Sequence, residues 1–438
     1  MAAPQIVHAE AEALLAALRE ALGPGVDVGP LAEVDPLERW ADSGAMALTG
    51  RASEAPLAPS APVASRIDAA GQVLRSLTEE LASPVEIDAP ALLGERAAIL
   101  GLRRSGEIAP GGRCRLLPAA DGWIAVNLAR PEDLELVPAW LGIDPPAPPG
   151  WSAVAGAIAE RDADDVVERA QLLGLAVSGT PSEGADVQLD ARGTLDATTP
   201  FIARRLGERR RLRHRPLVVD LSSLWAGPLC ANLLGLAGAR VVKVESTTRK
   251  DGARAHPRFF DLLHAGHDLV TLDLRSTEDV DRLHGLVNEA DIIIEASRPR
   301  ALDHLGLQPE EVLASSPGRT WITITGYGRT GPWANRVAFG DDAAVAGGLL
   351  VRDDRGPLFC ADAVADPATG LLAAVAGVAA LVHGGGVHID LALREVARHL
   401  VREPAPPSAT AGELVVRAPR SRGPEPGTGA RPSAGTLP

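Results

Sequence analysis

The sequence predicts an α/β protein that has a large domain built on a parallel sheet and a smaller α+β domain. From residue 216 onward, apolar runs of strand length alternate with helical stretches, which is the chain order of a parallel sheet. The first of these runs is followed by a break at Gly227 and Pro228, at the edge where such sheets bind ligands. Residues 114–142 have a different pattern, in which two strand-like runs flank an Asp-Gly turn and a helix follows.

The N-terminal half is predicted to place several helices around this hairpin. Residues 8–22 have the apolar spacing of an amphipathic helix that ends at Gly23, and residues 65–83 are also predicted to be helical. Further helical segments are predicted within 152–173, after a proline-rich loop. The Arg-rich run 204–215 is predicted to be a solvated linker rather than a binding patch.

The C-terminal half is predicted to hold the parallel sheet. Strands are predicted at 217–221, 240–244, 269–274, 291–297, 320–328 and 387–393, and the fifth of them ends in a glycine-rich loop. Helices are predicted at 229–236, 276–290 and 370–381, with a last helix ending near residue 402.

The chain is therefore divided into four parts. They are an N-terminal segment (1–105), a small domain with its linker (106–205), the parallel-sheet domain (206–402) and a tail (403–438). The tail consists mainly of Pro, Gly, Ser, Ala and Arg, and we expect it to be disordered.

A weak internal repeat indicates how the N-terminal segment arose. Residues 40–77 echo residues 343–381, so that Gly71 matches Gly370. The first copy has Ile67 where the second has Asp366, unless Asp68 replaces that carboxylate by a one-residue slip. We interpret residues 1–105 as a decayed copy of part of the large domain. Chance similarity in an alanine-rich chain is the alternative.

The composition limits the kinds of partner. The 438 residues are 46% apolar, and the net charge of −14 argues against a nucleic-acid partner. The three cysteines are scattered, which indicates a reducing cytoplasm and no metal motif. The N-terminus lacks the pattern of a signal peptide, and no apolar run is long enough to predict a membrane span. We expect a cytoplasmic protein with no metal.

The C-terminal half resembles the class III CoA-transferases, the CaiB/BaiF type. This family includes formyl-CoA transferase, carnitine CoA-transferase and the α-methylacyl-CoA racemases. The resemblance rests on the ordered motifs VVDLSSLWAGP, GARVVKVE, VTLDLR, ADIIIEASRPRALDHLGL and ITGYGRTGP, and on the helix that Asp366 precedes. It implies the family's Rossmann-like fold. The ADGWIAV and RPEDLELVPAWLG segments resemble the family's small domain, which usually follows the Rossmann-like part. The order here resembles a circular permutation, or a duplication whose first copy has decayed.

The resemblance implies that CoA moves between an acyl-CoA thioester and a carboxylic acid. In the family, the matching aspartate attacks the donor thioester, and the reaction proceeds through a mixed anhydride and an aspartyl thioester. Asp366 is the position that matches, and its alternative role is the N-cap of helix 370–381. Family members interlock two chains, so a homodimer is expected, unless the duplication lets one chain imitate the dimer internally. The sequence leaves the acyl group and the acceptor acid open.

The family holds CoA with backbone and cationic groups along the edge of the sheet. Carried over onto this sequence, the candidate ligands are Trp225, Ala226, Arg249, His267, Ala296, Ser297, Arg298, His304, Gly326 and Tyr327. The two histidines stand where family members commonly have Lys or Arg, and a neutral imidazole binds phosphate more weakly. We expect the phosphates of CoA to be bound more weakly than in other family members, or to be bound by Arg249, Arg254 and Arg298. If the histidines face the phosphates, CoA binding should strengthen as the pH falls from 8 to 6.

Two other functions remain open. An α-methylacyl-CoA racemase needs a His-Asp pair, but Asp341 occupies the place of that histidine in the Gly340-Asp341-Asp342 stretch. A non-catalytic, CoA-binding or structural relative is the third hypothesis, because expected Lys and Arg positions are missing.

Overall fold

The N-terminal segment is helical. The computed structural model describes residues 6–23, 28, 31–143, 150–181, 199–210, 215–297, 302–404, 414–423 and 431–432. The first helices are α1 (Ile6–Leu22), α2 (Pro36–Asp42), α3 (Val63–Glu79) and α4 (Glu95–Leu100). The predicted helices at 8–22 and 65–83 are thus confirmed as α1 and α3.

A three-stranded antiparallel sheet forms the small domain. Its elements are β1 (Cys114–Pro118), β2 (Trp123–Asn127), α5 (Pro131–Leu141), α6 (Trp151–Ile158), α7 (Ala163–Leu172) and β3 (Ala176–Gly179). Pro118 pairs with Trp123 across the Asp-Gly turn, so the predicted hairpin and the helix after it are confirmed. The small domain has its own apolar core, which includes the fully buried Trp140.

The large domain follows with alternating strands and helices. It contains β4 (Phe201–Arg205), β5 (Leu217–Asp220), α8 (Ala226–Leu236), β6 (Arg240–Ser246), α9 (Pro257–Leu263), β7 (Asp268–Leu272), α10 (Thr277–Glu289), β8 (Ile292–Glu295), α11 (Pro309–Ser315), β9 (Thr320–Thr325), α12 (Gly340–Ala346), β10 (Leu350–Asp353), β11 (Gly356–Phe359), α13 (Ala365–Val382), β12 (Val387–Ala392), α14 (Leu393–Val401) and β13 (Arg431–Pro432).

The central sheet has the strand order of a Rossmann-like fold. Strands β7, β6, β5, β8, β9 and β12 lie side by side and run parallel, which is order 3-2-1-4-5-6 in chain sequence. Strand β4 is antiparallel to β12 at one edge, and β13 pairs with β7 at the other. The order reverses between β5 and β8, so the ligand crevice is expected beyond their carboxyl ends. The predicted α/β class and parallel sheet are confirmed.

Helix α13 is the central helix of the large domain. It packs against α8 and α3, and its apolar residues join the core on one face of the sheet. Its length and composition are sufficient for a membrane span, contrary to the prediction that no apolar run was long enough. However, 89% of it is buried inside the protein, which is the situation of a core helix.

Two further sequence predictions need correction. Helix α13 begins at Ala365 rather than at residue 370, because Pro367 is tolerated in a first turn, where its missing N–H has no intrahelical acceptor. The Arg-rich run is not merely a linker, since Arg204 and Arg205 belong to β4 and Arg210 pairs with Asp291 at 2.6 Å; residues 211–214 lie outside the described residues.

The tail also differs from its prediction of disorder. Residues 414–423 follow a defined course, and Arg422 binds both Glu95 of α4 (Nε–Oε1 2.8 Å) and Asn232 of α8 (Nη1–Oδ1 3.1 Å). The rest of the tail beyond residue 404, apart from β13, lies outside the described residues.

Candidate active site

The segment between β11 and α13 has a strained backbone. Ala361 and Ala363 adopt positive φ angles of 54° and 46°, a left-handed conformation that costs a non-glycine residue roughly 1–2 kcal/mol. Two hydrogen bonds hold it, from Ala361 N–H to Thr49 Oγ1 (3.0 Å) and from Ala363 N–H to Asp341 Oδ1 (2.9 Å). Strain of this kind concentrates at functional sites, so the segment marks a candidate site.

Three carboxyl groups and one guanidinium meet beside this segment: Asp341, Asp362, Asp366 and Arg96. Arg96 binds Asp362 through two parallel hydrogen bonds, Nε–Oδ2 at 2.9 Å and Nη2–Oδ1 at 2.7 Å. Asp362 is fully buried and Asp341 is 8% exposed, whereas Asp366 is partly exposed. Of the three aspartates, Asp366 is therefore the most exposed residue.

Asp366 lies within the first turn of α13 rather than before it. The N-cap is Val364, which makes no side-chain capping bond, so the interpretation of Asp366 as an N-cap is wrong. The carboxyl group lies against the backbone of Gly340, where a Cβ atom would be 2.5 Å from Oδ2. The backbone of Gly340 also acts to lower the pKa of this carboxyl group. Position 340 therefore requires glycine.

The cluster perturbs the acidity of its members. Burial raises the pKa of Asp366 to about 7, the negative charges of Asp341 and Asp362 also raise this pKa, and the positive charge of Arg96 opposes the rise. Burial, followed by the charge of Asp362, raises the pKa of Asp341 to about 6. A carboxyl group that ionises near neutral pH and is poorly solvated as an anion has the properties of a nucleophile or an acid-base group.

The glycine-rich loop after β9 reaches the same place. A Cβ atom at Gly326 would lie 2.8 Å from the Cβ of Ala338, two residues before Gly340. Tyr327 is 2% exposed and meets Trp333 edge-on, with ring centroids 5.8 Å apart. Tyr327 is therefore closed to a ligand without a rearrangement, whereas Gly326 is partly exposed.

The start of α8 forms another side of the site. Trp225 is 1% exposed, and the guanidinium of Arg96 lies 5.0 Å from its ring centroid. A Cβ atom at Gly370, one turn after Asp366, would lie 2.6 Å from the carbonyl oxygen of Ala226. The close approach of α8 and α13 thus brings Trp225 and Ala226 to the carboxyl cluster.

The part of the chain that carries this site was compared with known protein families. Residues 216–426 match the sequence model of CoA-transferase family III. The match covers strands β5 to β12 and helix α13 with Asp366. This half of the chain is therefore similar to CoA-transferase family III.

Family III relatives of established name share this half of the chain. The succinyl-CoA–D-citramalate CoA-transferase of Chloroflexus aurantiacus is 30% identical over 219 residues, which are 46% of this chain and 54% of that protein. A formyl-CoA:oxalate CoA-transferase of Escherichia coli is 28% identical over 200 residues, 42% and 48% of the respective chains. The chain spans about half the length of these curated relatives. Among solved structures, a CAIB/BAIF family protein from Brucella suis is 33% identical over 42% of this chain and 53% of that chain, at a TM-score of 0.40.

Several predicted CoA ligands of the family III region lie on one edge of the sheet. Ala296 and Ser297 follow β8, beside the end of β5, where Leu221 N–H donates to Ile294 O at 2.8 Å. Ala296 is exposed, and the backbone N–H of Ser297 donates to Glu295 Oε2 at 2.8 Å. Arg249 follows β6 at the same edge and is exposed.

The remaining predicted ligands are His267, His304 and Arg298. His267 is 2% exposed and lies beneath α8, with its Nδ1 atom 3.4 Å from that of His264. Burial, followed by the charges of His264 and Lys243, lowers the pKa of His267 to about 3. With this pKa, His267 would not gain charge between pH 8 and 6. His304 is exposed, and Arg298 lies outside the described residues.

The sequence did not indicate Arg96 or Asp362. Arg96 lies 266 residues from its partner, in a segment without a recognised motif, so no local pattern reveals the pair. Arg254, considered as an alternative phosphate anchor, is instead paired with Glu245 (Nε–Oε1 2.9 Å). Among the described residues, no group of three His, Cys, Asp or Glu side chains is arranged to hold a metal ion.

Proposed function

We propose that this protein is a CoA-transferase that uses Asp366 as its nucleophile. The observation that carries the proposal is a partly exposed aspartate in the first turn of the core helix, whose carboxyl group lies against a glycine backbone and has a pKa raised to about 7. The similarity of residues 216–426 to family III supports acyl-CoA chemistry, and the named relatives transfer CoA between acids.

The proposed reaction starts with attack of the Asp366 carboxylate on the thioester carbonyl of the donor. The C–S bond breaks, the CoA thiolate leaves, and an acyl-aspartyl anhydride forms. The thiolate then attacks the aspartyl carbonyl, which releases the donor acid and leaves an aspartyl-CoA thioester. The acceptor carboxylate attacks the aspartyl-CoA thioester and expels the CoA thiolate, which gives an anhydride between the acceptor and Asp366. The thiolate then attacks the acceptor carbonyl of this anhydride, so that acceptor acyl-CoA is released and Asp366 is regenerated. The amino end of α13 favours the anionic form of Asp366.

The racemase alternative gains no support. Asp341 is 8% exposed, and its carboxyl accepts a hydrogen bond from Ala363 N–H at 2.9 Å. It lies beside Asp366 within one acidic cluster, so the site offers two carboxyl groups where a racemase needs a histidine as one of its two bases.

Activity should be measured with a panel of CoA thioesters and carboxylic acids, with products identified by mass spectrometry. Asp366→Asn should lower transfer by more than about 10³-fold, as expected for a covalent nucleophile. Asp354→Asn is the matched control, because the Asp354 side chain is 92% exposed. Retained transfer in Asp366→Asn would refute the proposed role. Binding of CoA without any transfer would favour the non-catalytic hypothesis.

We also propose a cytoplasmic homodimer. The three cysteines are free and buried, which fits a reducing compartment, and family resemblance suggests the dimer. The alternative is that the two copies pair within one chain. In favour of it, α3 of the proposed first copy packs directly on α13, and Ile67 is buried where the second copy has Asp366. Light scattering separates the two arrangements, since a species near 45.4 kDa would exclude the homodimer and support internal pairing.

A further inference from the structure

The N-terminal segment supplies side chains to the carboxyl cluster. Arg96 comes from α4 and Thr49 from the turn after α2, and both contact the strained segment that precedes Asp366. These residues lie outside the stretch that matches family III. We propose that Arg96 is a positioning residue for Asp366, and that the N-terminal segment thereby completes the active site. The catalytic part of this inference rests on the proposed transferase function.

The position of Arg96 is fixed from several sides. Its guanidinium forms both hydrogen bonds to Asp362 and lies over the ring of Trp225. The preceding residue, Glu95, is 1% exposed and bound by Arg422, which also bonds to Asn232 of α8. Helix α4 is therefore tied at both Glu95 and Arg96 to the region that matches family III.

Through Asp362, Arg96 controls the backbone that carries Asp366. Asp362 stands between the two left-handed residues, Ala361 and Ala363. Ala363 O accepts a hydrogen bond from Asp366 N–H at 2.9 Å, which joins the strained segment to the nucleophile. Loss of Arg96 would leave the buried Asp362 carboxylate without its ion-pair partner, and the segment would relax.

Arg96 also supplies the positive charge of the cluster. Asp341, Asp362 and Asp366 are the carboxyl groups that act on one another there, and Arg96 opposes their mutual repulsion. Without this cation, Asp366 would ionise at higher pH and a smaller fraction would be a carboxylate at neutral pH. The two roles, holding the segment and favouring the anion, make separate predictions.

The experiment measures the ionisation of Asp366 without substrate. The thermal unfolding midpoint of each protein is compared with that of its Asp366→Asn derivative from pH 5 to 9, and the pH dependence of the difference reports the Asp366 pKa. The key comparison is Asp362→Asn against the double variant Arg96→Met/Asp362→Asn, because removing both partners leaves no unpaired buried charge. Arg75→Met controls for loss of a cation, since the Arg75 side chain is 49% exposed.

The Asp366 titration midpoint should be about one pH unit or more higher in the double variant than in Asp362→Asn. Equal midpoints in these two proteins would overturn the inference. The positioning role is tested by Arg96→Lys, which keeps the charge but not the planar fork. Its titration midpoint should stay near that of the wild type, while transfer falls by about 10-fold or more. Wild-type transfer in Arg96→Lys would contradict the positioning role. Absence of transfer in the wild-type protein would refute the proposed function, whereas the titration would still decide the role of Arg96 as a cation.

Discussion

Gly340 and Asp366 are in direct contact, since the position of a Cβ atom at residue 340 falls 2.5 Å from the Oδ2 atom of Asp366. A second close atom is the carbonyl oxygen of Ala363, at 2.6 Å from the same position. Any side chain at residue 340 would therefore displace both the nucleophile and the strained segment before it.

Gly340→Ala should destabilise the protein by about 1–3 kcal/mol, because the added methyl group collides with backbone on one side and with a carboxyl group on the other. It should also lower transfer by more than about 10-fold, because Asp366 moves. Gly285→Ala in α10 is the matched control, since nothing lies within 4 Å of its Cβ position. That control should be neutral or stabilising by up to about 1 kcal/mol. Equal effects of the two substitutions in chemical denaturation and activity assays would contradict the contact.

Asp366→Asn should raise stability, and more so at pH 8 than at pH 5. The pKa of Asp366 is about 7 in the folded protein and about 3.9 in an unfolded chain. Between these values the folded state binds the extra proton, so stability falls as the pH rises through that range and stays low above it. The measurement is the difference in thermal unfolding midpoint between variant and wild type at the two pH values. A difference independent of pH would show that the Asp366 pKa is not raised.

Ala363→Gly should stabilise the protein by about 1 kcal/mol, because glycine adopts positive φ without the steric cost that alanine pays at 46°. Greater freedom of glycine in the unfolded chain reduces this gain. Ala368→Gly, within α13, is the control and should destabilise by a similar amount. Urea denaturation of both variants gives the comparison, and destabilisation by Ala363→Gly would contradict the described backbone.

His267→Gln should lower stability while leaving the affinity for CoA within a few-fold of wild type. His267 is buried beside His264 and Lys243, so its substitution disturbs a packed polar network rather than a binding surface. Isothermal titration with CoA at pH 6 and pH 8 provides the test. A large loss of affinity, or a wild-type affinity that strengthens at low pH and becomes flat in the variant, would restore His267 as a phosphate ligand.

Local patterns were sufficient to predict the sheet and insufficient to predict the site. Strands such as Leu217–Asp220 and Ile292–Glu295 are short apolar runs between helices. Such runs can be recognised from neighbouring residues alone. The predicted helix 370–381 starts later than α13, whose first turn accommodates Pro367. Resemblance alone assigned His267 to a phosphate, whereas the fold buries it beneath α8. Arg96 has no local signal, because its role depends on a partner 266 residues away.

The most direct test of the account is chemical trapping of the proposed intermediate. The protein is incubated with an acyl-CoA, treated with hydroxylamine, digested and analysed by tandem mass spectrometry. An acylated or thioesterified aspartate should be converted to a hydroxamate at Asp366, and this should require the acyl-CoA. No hydroxamate should form at the exposed Asp354 or in the Asp366→Asn variant. Transfer of CoA by a protein in which Asp366 is never labelled, under conditions that trap the intermediate in an active relative, would contradict the central claim.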